Sequence, residues 1–253
     1  MRDQERGRSM PIEYKNVVPW GRRFDEYCQM FDLTESDFKK AIISCGDGPA
    51  SFNFEATKKG YSVTSIDPIY FFTKEEIQKR INETYEIVLE ETCKNKEYFV
   101  WKSIKDIDTL GKLRMEAMQL FLDDFDKGLR EKRYIPGELP SLNFQELQFD
   151  IAICSHFLFL YSDNLSLEFH IQSIEEMLRI ADEVRIFPII NMNLTTSKYY
   201  SPTIQHFQNK HLKVSEILVD YEFQKGGNKM LSIENVKKSV YPQNTGTGAP
   251  FLR

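Results

Sequence analysis

Two stretches of this chain hold residues whose types and spacing could do chemistry. The first reads Ser44-Cys45-Gly46-Asp47-Gly48-Pro49-Ala50-Ser51 and is followed about 20 residues later by Ser65-Ile66-Asp67-Pro68. A turn built on Gly46 and Gly48 leaves bare backbone at a strand end, where a ligand can lie against it. A carboxylate at the end of the neighbouring strand, Asp67, can accept both hydroxyls of a ribose. Together they point to a nucleoside site, which neither feature would do alone. The competing reading is an ordinary strand-to-helix turn with Ser51 as helix N-cap.

The second stretch, Ser155-His156-Phe157-Leu158-Phe159-Leu160-Tyr161-Ser162-Asp163, follows an apolar strand. A histidine with an unperturbed pKa of roughly 6.5 can take a proton near neutrality, so His156 is a candidate base. The alternative is a packed ring that donates one hydrogen bond. Tyr161 is a candidate wall of a substrate pocket. Further upstream, Trp20 and Arg22 stand in an aromatic-rich segment, where Arg22 can pair bidentately with a carboxylate. The other reading there is an aromatic anchor beside a surface arginine. Arg80, Trp101 and Arg114 are further candidate contacts. His170, His206 and His211 have no partners at metal-ligand spacing, and Cys28, Cys45, Cys93 and Cys154 are too scattered for a structural zinc site.

These residues need elements to position them. Ala41-Ile42-Ile43 reads as a strand entering the glycine turn, and Tyr61, Val63 and Ile66 alternate as a second strand ending at Asp67. Thr34, with Asp37 three residues on, predicts a short capped helix before the first strand. Thr73 caps a helix carrying Ile77, Ile81, Tyr85, Val88 and Leu89, and a second helix spans about 109–130, with Leu110, Leu113, Met118, Phe121, Leu122 and Phe125 on its buried side. Two helices exceed the short crossover of a simple doubly wound domain, so about 70–135 is read as an inserted helical lid. Phe149 to Cys154 is a near-continuous apolar run, the pattern of a central parallel strand. A helix with Leu167, Ile171, Ile174, Leu178 and Ala181 on one face leads to a strand from Val184 to Pro188. Val214 to Phe223 and Lys229 to Ile233 read as strands joined through Lys225-Gly226-Gly227-Asn228, and such a pair must be antiparallel.

The chain has 253 residues, 41% hydrophobic and 28% charged, which suits a globular domain with a substantial core. A net charge of −5 without a long basic block argues against an electrostatically driven nucleic-acid binder. No apolar run reaches the roughly 18 residues of a membrane span, and the charged start is no secretory signal, so a cytoplasmic setting is expected. Residues 1–16 are read as a flexible arm, 17–238 as the domain with its lid, and 239–253 as a tail.

The glycine turn, Asp67, the terminal hairpin and the Glu138 stretch together resemble the class I S-adenosyl-L-methionine-dependent methyltransferases. The resemblance covers about 40–235. Gly46-Asp47-Gly48-Pro49-Ala50 matches the family's turn under the methionine part of the cofactor, and Asp67-Pro68 its ribose acid. Glu138-Leu139-Pro140-Ser141-Leu142-Asn143-Phe144 resembles the segment that recognises adenine, and Phe149 to Ser155 the strand ending beside the transferable methyl group. Two positions depart from the pattern. Ser44 stands where the family carries an acid, and Asp47 is placed to supply that charge; Asn143 replaces a proline. The segments around Trp20, Gly46 and His156 also resemble a group of bacterial methyltransferase-like proteins.

The resemblance implies a Rossmann-like α/β fold: a doubly wound, seven-stranded, mostly parallel sheet with an antiparallel terminal hairpin and a helical insertion. It implies S-adenosyl-L-methionine as cofactor and methyl transfer to an unidentified small-molecule acceptor. The amine-binding motif Asn/Asp-Pro-Pro-aromatic is replaced by Ser155-His156-Phe157-Leu158, which argues against amine and nucleobase acceptors. Two rivals stand beside this reading: a protein that binds S-adenosylmethionine or S-adenosylhomocysteine without transfer, and a nicotinamide-dependent oxidoreductase. The latter wants a further glycine where Ser51 stands.

Overall fold

The computed structural model describes residues 18–235. The expected arm at 1–16 and tail at 239–253 lie outside the described residues. Seven strands form one sheet: β1 (Ile42–Cys45), β2 (Val63–Asp67), β3 (Tyr134–Pro136), β4 (Phe149–Ser155), β5 (Ala181–Phe187), β6 (Lys213–Leu218) and β7 (Lys229–Glu234). Their order is β3-β2-β1-β4-β5-β7-β6. All pairs from β3 to β5 are parallel, while β7 runs antiparallel to both β5 and β6. This is the strand order of the class I methyltransferase fold, as the sequence predicted. The central β4 is buried along all but one of its positions, because helices cover both of its faces.

Among the described residues six α-helices accompany the sheet: α1 (Phe24–Phe31), α2 (Phe52–Lys58), α3 (Lys74–Lys94), α4 (Ile107–Arg130), α5 (Leu167–Ile180) and α6 (Tyr200–Asn209). Thr73 and Glu76 form the expected capping box of α3. α4 starts a little before 109, because Asp106 accepts the Thr109 amide at 2.7 Å.

Some local expectations change. Thr34 does not start an α-helix; Asp37 Oδ2 accepts from its amide, and only a 3₁₀ turn, Asp37–Lys39, follows. The interval 70–135 is not all helix, since it ends in edge strand β3, too short to show a period. α5 turns its face toward His170, Ile174 and Met177, and runs directly into β5 at Ala181. β6 stops at Leu218, so β6 and β7 are joined by the longer loop 219–228 rather than a tight turn.

The segment before β1 is fastened to the body by an ion pair. Arg114 of α4 is fully buried and donates from Nη1 and Nη2 to the two carboxylate oxygens of Glu26 at 2.6 and 2.7 Å. Tyr221, in the loop before β7, donates to the same carboxylate at 3.0 Å. Burial alone would raise the Glu26 pKa; the guanidinium more than reverses this and brings it down to about 2. Arg114, a candidate substrate contact from the sequence, is thereby committed to structure.

Because the folded value lies below the ordinary 4.5, this stabilisation is full above pH 4.5 and is lost as pH falls toward 2. Urea titrations should show an acid-limb loss of about 3 kcal/mol that Glu26→Gln lacks. The variant should be less stable at pH 7 by about 3 kcal/mol, because Arg114 is left buried and unpaired.

Candidate functional site

The carboxyl ends of β1, β2 and β4 open into one cavity of about 1090 Å³. That lies at the top of the range for a single small-ligand pocket and leaves room for a second molecule. Of the residues singled out from the sequence, Trp20, Arg22, Gly46, Asp47, Gly48, Pro49, Asp67, Pro68, Arg80, Glu138, Leu139, Ser155, His156 and Tyr161 line it. Ala50 does not; it is buried in the core cluster with Tyr27 and Phe52.

Gly46 and Gly48 have φ of +71° and +56°, in the left-handed region where a side chain is strained. A Cβ at Gly48 would meet nothing within 4 Å, and one at Gly46 would make ordinary contact with the Phe157 ring at 3.4 Å, so it is the backbone angle that asks for glycine at both. The turn is tied to the next strand by Asp67, whose Oδ2 accepts the Gly48 amide and whose Oδ1 accepts the Ile69 amide, both at 2.8 Å. Burial pushes the Asp67 carboxyl up to about 7, against the pull of the Ile69 and Gly48 amides.

Asp47 points into the protein. Its Oδ1 accepts from Tyr27 Oη at 2.5 Å and Ser44 Oγ at 2.6 Å, and its Oδ2 accepts from Ser65 Oγ at 2.5 Å. The serine at position 44 thus donates to a carboxylate delivered three residues later. Burial raises the Asp47 pKa, and the three hydroxyls oppose that shift. Tyr27 is a site residue the sequence reading passed over. It stands in the aromatic-rich segment after Trp20, and no local spacing ties it to Asp47.

The segment carrying Trp20 and Arg22 forms a wall. A Cβ at Gly21 would lie 2.2 Å from the Pro49 carbonyl oxygen, so only glycine lets this backbone lie against the turn. Ser51 N donates to Arg22 O at 3.0 Å. Among the described residues Arg22 makes one long bond, Nη1 to Trp20 O at 3.5 Å, and its buried Nε has no partner. The guanidinium therefore reaches the cavity with donors to spare. On the opposite side Glu138 presents a carboxylate whose side chain has no hydrogen-bond partner among the described residues.

At the end of β4, Ser155 Oγ lies 2.9 Å from His156 Nδ1. His156 takes a left-handed φ of +50°, uncommon for histidine, and its amide donates to Phe187 O at 2.6 Å. Burial, and after it the charges of Arg22 and Arg114, hold its pKa well below the usual histidine value. Tyr161 lies one turn further along the same loop. Trp101 is occupied elsewhere: its Nε1 donates to Lys96 O and its ring meets Phe223 edge-on. His170 is buried with both ring nitrogens on backbone carbonyls. Among the described residues no group of three His, Cys, Asp or Glu could hold a metal, and no helix is long and apolar enough to cross a membrane.

No family model matches the chain. It is 36% identical over 225 residues to the uncharacterised protein MJ0045 of Methanocaldococcus jannaschii, a match covering 88% of this chain and 98% of that one. Among solved structures it is similar to a SAM-dependent methyltransferase from Aquifex aeolicus, at 11% identity over 87% of this chain and 92% of that one, TM-score 0.40. A methyltransferase from Methanosarcina mazei shows 14% identity over 80% and 93%, TM-score 0.40. The magnesium protoporphyrin IX methyltransferase of Synechocystis PCC 6803, solved with bound SAM, shows 9% over 83% and 90%, TM-score 0.41. Likeness at this level carries no argument, and the assignment of the fold rests on the strand order.

The raised Asp67 pKa is directly measurable. Carboxyl ¹³C NMR of the ligand-free chain should show Asp67 titrating with a midpoint near 7. A raised folded value means stability that is present at low pH and lost as pH rises through 7. Asp67→Asn should lack that component in urea titrations between about pH 5 and about pH 8.

Proposed function

We propose that this chain, which belongs to the family of the Methanocaldococcus jannaschii protein MJ0045, is an S-adenosyl-L-methionine-dependent methyltransferase acting on a small-molecule acceptor. One observation carries the reading. The glycine turn, Asp67, Glu138, the spare donors of Arg22 and the end of β4 all face one cavity at the carboxyl edge of the sheet, where open α/β folds bind ligands. The residues fit the cofactor's parts, with open space over Gly48 and an orphaned guanidinium nitrogen beside it.

In this reading Asp67 accepts the ribose hydroxyls, and Glu138 accepts from the adenine amino group with Leu139 and Pro68 against the ring. Gly46, Gly48 and Pro49 give bare backbone to the methionine chain. Arg22 takes its carboxylate, and Asp47, turned into the protein toward three hydroxyls rather than toward the ammonium as the sequence suggested, holds the shape of the turn. Bound there, the cofactor supplies a methyl group already activated by its sulfonium. The protein's own tasks are alignment, exclusion of water and removal of a proton. Ser155 positions the strand end, His156 takes the proton, and Trp20 and Tyr161 wall the acceptor. The reversed β7, absent from the nicotinamide-binding fold, and Ser51 in place of the expected glycine disfavour an oxidoreductase.

Calorimetry with S-adenosylhomocysteine should show binding, and absence of binding to folded protein would sink the proposal. Asp67→Ala should weaken binding by about 1.5–3 kcal/mol through lost charge-assisted hydrogen bonds. Hydroxyl donors favour the ionised carboxyl, so wild-type affinity should rise as pH passes 7, with proton release seen in buffers of different ionisation enthalpy. Formation of S-adenosylhomocysteine from the cofactor with an acceptor separates an enzyme from a silent binder.

A further inference from the structure

The cavity reaches well past the glycine turn. α3 sends both Ile77 and Thr92 into it, and at roughly 1.5 Å per residue these stand about 22 Å apart along the helix. The loops after β5 and before β7 line it too, through Met192, Leu194 and Phe223. β5 and β7 lie three and four strands from β2, which carries Asp67, or about 14 and about 19 Å across the sheet. A cofactor with its ribose on Asp67 and its methionine end on the glycine turn leaves that far part open.

The far part is uneven in its chemistry. Seven large apolar side chains are exposed among the described residues, and four of them, Phe72, Ile87, Tyr98 and Met192, line this cavity. Ile87, Tyr98 and Met192 belong to its far part, where Val88, Leu194 and Phe223 continue the surface. Ile87 and Met192 are 60% and 57% exposed. Several polar side chains among them are engaged within the chain. Glu91 accepts from Lys94 Nζ, Thr92 Oγ1 donates to Val88 O, and Asn95 Nδ2 donates to Glu91 O, each at 2.8 Å. Asn193 Nδ2 donates to Asp163 at 3.3 Å, and Arg80 faces Glu83 at 3.7 Å. Asn164 and Gln224 add two amides to the lining.

Polar groups that already hold partners gain little from a ligand, whereas uncovered hydrocarbon gains from any apolar surface laid on it. The wall is also built before a ligand arrives. Val100 N donates to Phe223 O at 2.7 Å and Lys225 N to Tyr98 O at 3.0 Å, which ties the turn after α3 to the loop before β7. A compact acceptor at the end of β4 would leave Ile87, Tyr98 and Met192 bare. A long apolar one covers them.

On the methyltransferase reading above, we propose that the acceptor carries a long hydrocarbon chain, acyl or isoprenoid. The chain lies between the second half of α3 and the loops after β5 and before β7, with the polar head at the end of β4. The far part of the cavity is a chain-binding subsite, and Ile87 and Met192 are specificity-determining residues within it.

Calorimetry of the full chain with 1-alkanols from butanol to dodecanol, S-adenosylhomocysteine being present throughout, reads the subsite directly. Affinity should rise about fourfold with each methylene added. Farnesol and dodecanol have the same backbone length; binding of either supports the subsite, and the tighter of the two assigns the chain as isoprenoid or straight. Ile87→Glu and Met192→Glu change exposed positions, and urea titration checks that each variant is folded. Each should weaken dodecanol binding about tenfold or more and leave S-adenosylhomocysteine binding unchanged.

An affinity independent of chain length overturns the proposal, as does a chain-length dependence that both variants leave intact. A dimer in sedimentation that persists with dodecanol and is dissolved by Ile87→Glu also overturns it, since a second copy then covers the wall. Failure of S-adenosylhomocysteine to bind overturns the underlying methyltransferase reading instead.

Discussion

A buried carboxylate holding three hydroxyls sets the geometry on which the rest of the site depends. Asp47 gathers Tyr27 from α1, Ser44 from β1 and Ser65 from β2. A charged group in that position is tolerable only while all its donors are in place, since an uncompensated buried charge costs several kcal/mol. The requirement works as a lock. The turn between β1 and α2 can carry its glycines into left-handed backbone because the residue between them is anchored from three elements at once. Asp67 adds a second anchor from the neighbouring strand through the Gly48 amide.

The cavity wall depends on a different kind of contact. Its N-terminal side is backbone against backbone, Gly21 on Pro49, and the Glu26 to Arg114 pair behind it keeps that surface in place. Arg22 lines the cavity with donors to spare, while the Glu26 carboxylate beneath it is already taken by Arg114 and Tyr221. Two arginines with similar prospects in the sequence therefore end in opposite roles, one structural and one facing the ligand space.

Much of this is legible in the sequence alone. Gly46, Gly48 and Asp67 were readable because their placement depends on local backbone shape and on a spacing fixed by one strand-helix-strand unit. β4 was readable from its apolar run, and the reversed edge from two strand-like runs joined by a turn-rich segment. β3 was not, since three residues show no periodicity and its preceding helix blurs the boundary. Tyr27 and Glu26 were hidden for another reason: their partners lie 20, 88 and 195 residues away, and no pattern in one sequence ties such positions together. The loop between β6 and β7 came out longer than its Gly226-Gly227 centre implied, because Val219, Tyr221 and Phe223 leave the strand to pack on the N-terminal cluster.

The reach of Glu26 also bears on how the molecule is made. Its carboxylate is complete only when Arg114 and Tyr221 have both arrived, so an element near the start of the chain waits for one near the end. Closing loops of that length costs entropy that nearby strand pairings do not incur, and chains emerge from the ribosome N-terminus first. The parallel strands β1 to β5 have their partners by residue 187, some time before the pocket has its wall. A nascent chain thus holds these parallel strands before its cavity has a settled wall, and that wall waits until residue 221 has been made.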